Sequence, residues 1–190
     1  MEDHRALVRA IVNGDREQFR AFVTEFQRLV WHIVSRMIPE ADDREDICQD
    51  VFVKVYQNLA TFRHESKVST WVAQIACNTC ISARQKRRLP AYDPPSDSSD
   101  TRYLETEASY ADRPDARYDT ACMSTSIVQE IDALPAMYGL VLTLFHLEQM
   151  SLKDIGDILK LPDGTVKSYL FRSRKLLKDR LVRRYNWETT

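Results

Sequence analysis

The sequence has only four glycines in 190 residues. An all-β fold needs glycine at many tight turns, so that class is excluded. No two of the four stand close enough to build a dinucleotide-binding or phosphate-cradling loop. Cysteine is scarce as well. Four in a chain of this length do not make a disulfide scaffold, and free thiols are expected. No apolar run approaches the roughly 18 residues needed to cross a bilayer, so no membrane insertion is expected. The N-terminus, MEDHRALVRA, lacks the apolar core of a signal peptide, and a cytoplasmic location is expected. Net charge is nearly absent, at −1. What is present is 44% hydrophobic and 29% charged, enough to build cores in one or two small domains and to exclude wholesale disorder.

The near-zero net charge hides a segregation. Residues 40–50 hold six acids and one base, Arg44, for a net −5. Residues 84–88, Arg-Gln-Lys-Arg-Arg, are net +4. Residues 89–130 hold nine acids and three bases, net −6. Residues 160–184 hold nine bases and two acids, net +7. Two basic blocks separated by acid suggest two contacts to a polyanion, since each block ends an amphipathic helix. Solvated helix faces would give either block alone.

Apolar periodicity places the helices. Asp15 can cap one, with Gln18 reaching back, and Phe19, Phe22, Val23, Phe26, Leu29, Val30, Ile33, Val34 and Met37 follow at helical spacing. A second helix is predicted from about Asp42 to Leu59, with Ile47, Val51, Val55 and Leu59 in one stripe. The polar stretch Ala60–Val68 reads as a loop, and Ser69 or Thr70 opens a third helix that ends in the first basic block. With a short helix near residues 3–12, these make one all-α domain over 1–88. Residues 89–119 hold four of the seven prolines and lose all periodicity, which predicts an extended, flexible acidic linker. Helical spacing returns in Ile127, Val128, Ile131 and Leu134, and Pro135 suits the first turn of the next helix. A second small helical domain then spans 120–190.

The most informative stretch is Ser151–Arg180. Ser151 and Asp154 make a capping pair for a helix of only two turns, carried by Ile155, Ile158 and Leu159. Lys160-Leu161-Pro162 breaks it, and Asp163 or Thr165 starts a longer helix that buries Val166, Leu170 and Leu177. Lys167, Ser168, Phe171, Arg172, Arg174 and Lys175 fall on outward or flanking positions. This is helix-turn-helix spacing, and such a helix fits the major groove. An ordinary αα-corner with a soluble face has the same spacing.

At this point the chain resembles a known family. Gly164-Thr165-Val166-Lys167-Ser168-Tyr169-Leu170-Phe171-Arg172-Ser173-Arg174, preceded by Ser151-Leu152-Lys153-Asp154-Ile155, resembles region 4 of bacterial sigma factors. Asp43-Arg44-Glu45-Asp46-Ile47-Cys48-Gln49-Asp50-Val51-Phe52 resembles their region 2, as does Ser69-Thr70-Trp71-Val72-Ala73-Gln74-Ile75-Ala76-Cys77-Asn78-Thr79. Two domains and a linker, with no large extra region, resemble the extracytoplasmic-function (group IV) class of the sigma-70 family.

The resemblance implies a transcription initiation factor and assigns work to each charged block. Glu45, Asp46, Gln49 and Asp50 match the surface that docks on the β′ clamp helices of core RNA polymerase. Arg63, His64 and Ser66 match a pocket for a flipped base of the minus-ten element, with Asn78 nearby and Arg84, Lys86, Arg87 and Arg88 on single-strand phosphates. Thr165, Lys167, Ser168, Phe171, Arg172, Arg174 and Lys175 match the surface that meets the minus-thirty-five element as duplex. The second domain would also meet the polymerase β flap. Relatives are commonly held by an anti-sigma protein, although nothing in the sequence itself points to one. Two departures stand out. Lys160 occupies a position where relatives often carry Gly, and Gly156 replaces a usual Ala at a helix-propensity cost of about 1 kcal/mol.

Other readings fit less of the chain. Cys77 and Cys80 form C-x-x-C, but no second clustered pair completes a zinc site. The deaminase signature is absent in order and in its proline. No metal, no cofactor and no enzymatic activity are expected. A two-domain regulator with a LuxR-like C-terminal motif remains an alternative, but it leaves the acidic helix and the Trp71–Arg88 helix without a role.

Overall fold

The computed structural model describes residues 2–88 and 122–185. The expected linker, residues 89–119, lies outside the described residues, as do the side chains of Arg87 and Arg88. All regular structure among the described residues is helical, and the chain divides into two compact units, largely one in each half.

The first unit contains α1 (Glu2–Val12), α2 (Arg16–Met37), α3 (Ala41–Asn58) and α4 (Val68–Arg88). Asp15 caps α2 by accepting from the backbone N–H groups of Glu17 and Gln18, so Gln18 contributes its main chain to the cap. The 22 residues of α2 make it the central element, packed on α1, α3 and α4. Its apolar stripe is buried as the spacing predicts, from Phe22 and Phe26 through Leu29, Val30, Ile33 and Val34 to Met37. Each such side chain contributes roughly 1.5–3 kcal/mol of transfer free energy. Val51 and Val55 of α3 and Val72, Ala73 and Ala76 of α4 complete the core. The small residues on α4 let the helices approach closely. Leu59–Thr61 form a single 3₁₀ turn after α3, and α4 starts at Val68, slightly ahead of the expected Ser69 or Thr70.

The later half of the chain forms α5 (Cys122–Asp132), α6 (Ala136–Leu142), a π-helical turn (Thr143–Leu147), α7 (Leu152–Leu159) and α8 (Asp163–Tyr185), and these make up the second unit apart from Asp157–Leu159. Helix α6 packs against α8, and α5 against both. Two local expectations shift. Pro135 sits just before α6 as its N-cap, with extended backbone, and not within the first turn. Ile127 is exposed, because the buried face of α5 runs through Glu130 and Ile131 toward Leu134.

Helices α7 and α8 are the expected short-helix, turn, long-helix pair. Ser151 and Asp154 form a complete capping box, each side chain accepting from the other's backbone N–H. Helix α7 stops at Lys160, which adopts φ 54° and ψ 43°, the left-handed conformation. The Leu161 N–H donates to Gly156 O at 2.9 Å, closing the helix end. The Thr165 and Val166 N–H groups donate to Pro162 O and start α8. Gly156 is not a mere propensity loss. A Cβ there would stand 2.9 Å from Leu161 O and 3.3 Å from Asp163 Oδ1, so glycine is what lets the turn fold back on α7.

Candidate nucleic-acid interface

The acidic surface lies on α3. Glu45, Asp46, Gln49 and Asp50 are all exposed, while Val51 and Val55 on the opposite side are buried. The one base in the acidic stretch turns away from them. Arg44 donates through Nε to Ile38 O at 2.9 Å and through Nη2 to Pro39 O at 2.8 Å, tying down the α2–α3 turn. Farther along, Val53 and Tyr56 are exposed, so the carboxylate row continues into an apolar strip.

The loop before α4 is braced by aromatic rings. Phe62 packs edge-on against His64 at 4.6 Å between centroids and against Trp71 at 5.0 Å. His64 has φ 57°, an uncommon conformation for a non-glycine residue and one that concentrates at functional positions. Trp71 is half-buried and anchors this loop; Arg63 and Ser66 are exposed beside it. Asn78 is exposed on α4, and so is Lys86, whereas Arg84 is half-buried with its charge near Cys80. Thus Arg63, His64 and Ser66 share one loop, and Asn78 and Lys86 lie along the adjoining helix.

The cysteines lie apart from this chemistry. Cys48, Cys77 and Cys80 are free thiols at the α3–α4 contact. Burial pushes Cys77 up to about 12, and burial with Glu45 nearby does the same for Cys48. Burial raises Cys80 as well, with Cys77 and Cys48 beside it. The thiolate is therefore strongly disfavoured in all three, which suits packing rather than nucleophilic work.

The second basic face is the N-terminal half of α8. Val166 and Leu170 are buried, Leu177 is half-buried, and Ser173 is fully buried, its hydroxyl donating to Tyr169 O at 2.6 Å. Lys167, Ser168, Phe171, Arg172, Arg174 and Lys175 are exposed, and Thr165 is half-buried in the first turn. Phe171 is 72% exposed, an unusual position for an aromatic ring unless something covers it. The Ser168 hydroxyl donates to Gly164 O at 2.9 Å and keeps its lone pairs outward as acceptors.

Two features escaped the sequence reading. The far end of the basic block is partly spent inside the unit. Glu130 on α5 is buried, accepts from Arg180 Nε at 3.0 Å, and is also paired with Arg184. Burial pushes the Glu130 carboxyl up, but hydrogen bonds and charge from Arg184 and Arg180 together outweigh it and hold it below the ordinary carboxylate value. The second is Arg174, whose Nε donates to His146 Nε2 at 3.2 Å and whose guanidinium lies 5.4 Å from the Phe145 ring centroid. Only the charge reversal between α5 and α8 could have hinted at the first.

Comparison with known proteins agrees with this architecture. Residues 22–89 match the sequence model of Sigma-70 region 2, and residues 124–177 match that of Sigma-70, region 4. The chain is 30% identical over 179 residues to the ECF RNA polymerase sigma-E factor of Haemophilus influenzae, covering 93% of this chain and 94% of that one. It is 30% identical over 177 residues to the ECF RNA polymerase sigma factor SigW of Bacillus subtilis, covering 92% and 94%. Its fold is similar to that of the sigma factor RpoE of Bartonella quintana, solved in complex with the anti-sigma factor NepR. That likeness has a TM-score of 0.62 at 20% identity, over 86% of this chain and 96% of that one. The region 2 match accounts for the acidic helix and for α4, which a LuxR-like regulator would leave idle. With both regions present in order, the chain belongs to the extracytoplasmic-function class of the sigma-70 family of transcription initiation factors.

Proposed function

We propose that the two units divide the work of initiation between residues 1–88 and 120–190. Glu45, Asp46, Gln49 and Asp50 bind a basic coiled coil of core RNA polymerase, the β′ clamp helices, while the α3 stripe stays in the core. The strained loop at Arg63, His64 and Ser66, with Asn78, receives an unstacked base of the minus-ten element. Arg84, Lys86, Arg87 and Arg88 hold the phosphates of the opened strand.

The α8 face binds the minus-thirty-five element as duplex, and its unit meets the β flap. Lys167, Ser168, Phe171 and Arg172 reach base edges from the groove, with Thr165 at the helix start. Arg174 and Lys175 meet phosphates, which position without specifying. The protein acts in the cytoplasm and catalyses no reaction of its own; the chemistry belongs to polymerase. The Bartonella protein is solved in complex with an anti-sigma factor, and an anti-sigma protein holds this chain inactive by covering its two working faces. Pull-down from the native host under non-inducing conditions tests that last point, and recovery of core polymerase alone speaks against it.

The observation that carries the reading is the pairing of an exposed carboxylate row on α3 with an exposed basic face on α8, one on each unit. Runoff transcription with purified core polymerase tests it. The wild-type chain starts transcription unaided by another sigma factor, and the Asp46→Lys/Asp50→Lys variant loses both core association and transcripts. Unchanged co-purification of that variant with core removes α3 as the docking surface.

A further inference from the structure

The π-helical turn Thr143–Leu147 carries three local departures. Its closing bond runs five residues back, from the Glu148 N–H to Thr143 O at 3.0 Å. The Thr143 hydroxyl oxygen is buried with no hydrogen-bond partner among the described residues. Gln149, just past the turn, has φ 51°. Such turns interrupt the regular i→i−4 hydrogen bonding and are frequent at functional sites.

Here the turn presents two side chains to one arginine of α8. His146 Nε2 accepts from Arg174 Nε at 3.2 Å, and the Phe145 ring lies beneath the guanidinium carbon at 5.4 Å. The two rings are themselves near-perpendicular, 5.0 Å apart at 79°. The imidazole occupies one edge of the guanidinium and the phenyl one face. A guanidinium has five N–H donors, and among the described residues only the Nε–H of Arg174 is taken. Both Nη groups stay available for a bidentate contact to phosphate, the geometry at which arginine excels. Desolvation and then the Arg174 charge hold the His146 pKa below its ordinary value, so the ring is neutral and able to accept.

We propose that His146 and Phe145 are positioning residues for duplex binding, a rest contributed by the turn after α6 that presets Arg174 for a backbone phosphate. The inference rests on the reading of Arg174 as a phosphate contact and deepens it. A free arginine must lose its rotamer freedom when it meets DNA, and a preset one has already lost it. The rest would therefore tighten binding to every promoter sequence alike, because a phosphate carries no sequence information.

The test uses the full chain bound to core polymerase and a labelled duplex carrying the upstream promoter element, with anisotropy read at several salt concentrations. His146→Ala should weaken binding about three- to tenfold on all promoter variants with the salt slope unchanged, since the arginine charge remains. His146→Gln, whose amide oxygen can accept from Nε, should recover most of the loss. Arg174→Ala should weaken binding and lower the salt slope by about one. The double variant His146→Ala/Arg174→Ala should be no weaker than Arg174→Ala alone, because the rest has nothing left to hold. If the two losses add, or if His146→Ala is silent while Arg174→Ala weakens binding, His146 is not a positioning residue. If Arg174→Ala changes neither affinity nor slope, Arg174 is not a phosphate contact, and the inference falls with that reading. His146 is exposed, so neither replacement threatens the fold.

Discussion

In the first unit, the one base among the acids of residues 40–50 is turned inward. Arg44 spends its guanidinium on the carbonyls of Ile38 and Pro39 and leaves Glu45, Asp46 and Asp50 facing water. In the second unit the inward group is an acid, and it takes two cations with it: Glu130 binds Arg180 and Arg184. Each unit thus hides one group of the sign opposite to its charged face, but with opposite consequences. Arg44 bonds to the neutral carbonyls of Ile38 and Pro39, so it neutralises none of Glu45, Asp46 and Asp50. Glu130 neutralises part of the basic block, so the working cations are concentrated in the first half of α8. Charge counts along the chain therefore understate the first face and overstate the second.

The interiors differ in the same direction. Phe22 lies fully buried between Phe19 and Phe26, with ring centroids 6.3 and 4.6 Å away. Phe22→Ala should cost the first unit about 3–5 kcal/mol, the largest effect expected here. Hydrogen exchange resolved by peptide checks it: protection should fall in α2, α3 and α4 while α6 and α8 keep theirs. Equal loss in α6 and α8 would mean that the two units unfold as one.

The second unit should break through its ion pair. Arg180→Ala/Arg184→Ala leaves a buried carboxylate unpaired and should cost about 2–4 kcal/mol, below the upper range for such pairs because both arginines are partly in water. The pair also predicts acid sensitivity. The Glu130 carboxyl is held below its ordinary 4.5 in the folded chain. Its stabilisation is therefore complete above the unfolded value and is lost as pH falls through the lowered folded value. Below about pH 4.5 the exchange protection of α8 should drop in the wild type, and Glu130→Gln should flatten that dependence at the cost of lower stability near neutrality. An acid limb unchanged by Glu130→Gln would place the sensitive carboxyl elsewhere.

What the sequence makes legible follows from range. The α2 stripe, the Asp15 cap and the Ser151–Asp154 box depend on residues within one or two turns, and periodicity and spacing reveal them. The helix-turn-helix pattern is local in the same way, as is the run of outward residues from Lys167 to Lys175. The Glu130 pairs join residues 50 and 54 apart, and the His146–Arg174 contact spans 28. No period or motif connects such positions; only packing brings α5, the turn after α6 and α8 together. The bracing of His64 by Phe62, which is itself packed on Trp71, is half visible, since the ring residues are close in sequence but the positive φ is not written in them. Gly156 misled for a related reason. Its propensity cost is local, whereas its close approach to Leu161 O depends on how the chain turns back.

That close approach separates two glycine questions within the same short turn. Gly156→Ala would gain up to about 1 kcal/mol of helix propensity but would push a methyl against a backbone oxygen that cannot swing away. Overpacking of this kind costs about 1–3 kcal/mol, so the variant should lose about 1 kcal/mol overall. A thermal midpoint for the α7–α8 unit at or above the wild-type value would show that the turn can relax.

The smallest effect is expected four residues on, with the opposite sign. Lys160 pays for its left-handed backbone at φ 54° in a conformation that glycine adopts without penalty. Its side chain is exposed, so nothing is lost from the core by removing it. Part of the relief is offset by the greater freedom of glycine in the unfolded chain. Lys160→Gly should therefore stabilise the second unit by about 0.5–1 kcal/mol and leave the first unit unchanged. Lys160→Asn, which tolerates the same conformation, should fall between the two, and Lys160→Val, β-branched and poorly suited to positive φ, should fall below the wild type. The series sharpens the contrast between the units because it changes backbone strain alone, without touching the Glu130 pair or the α2 core. Differential scanning calorimetry of the four proteins measures the order directly. Should valine match glycine, the turn would be adjusting its backbone to the side chain, and the left-handed residue would not be a fixed feature of the helix-turn-helix.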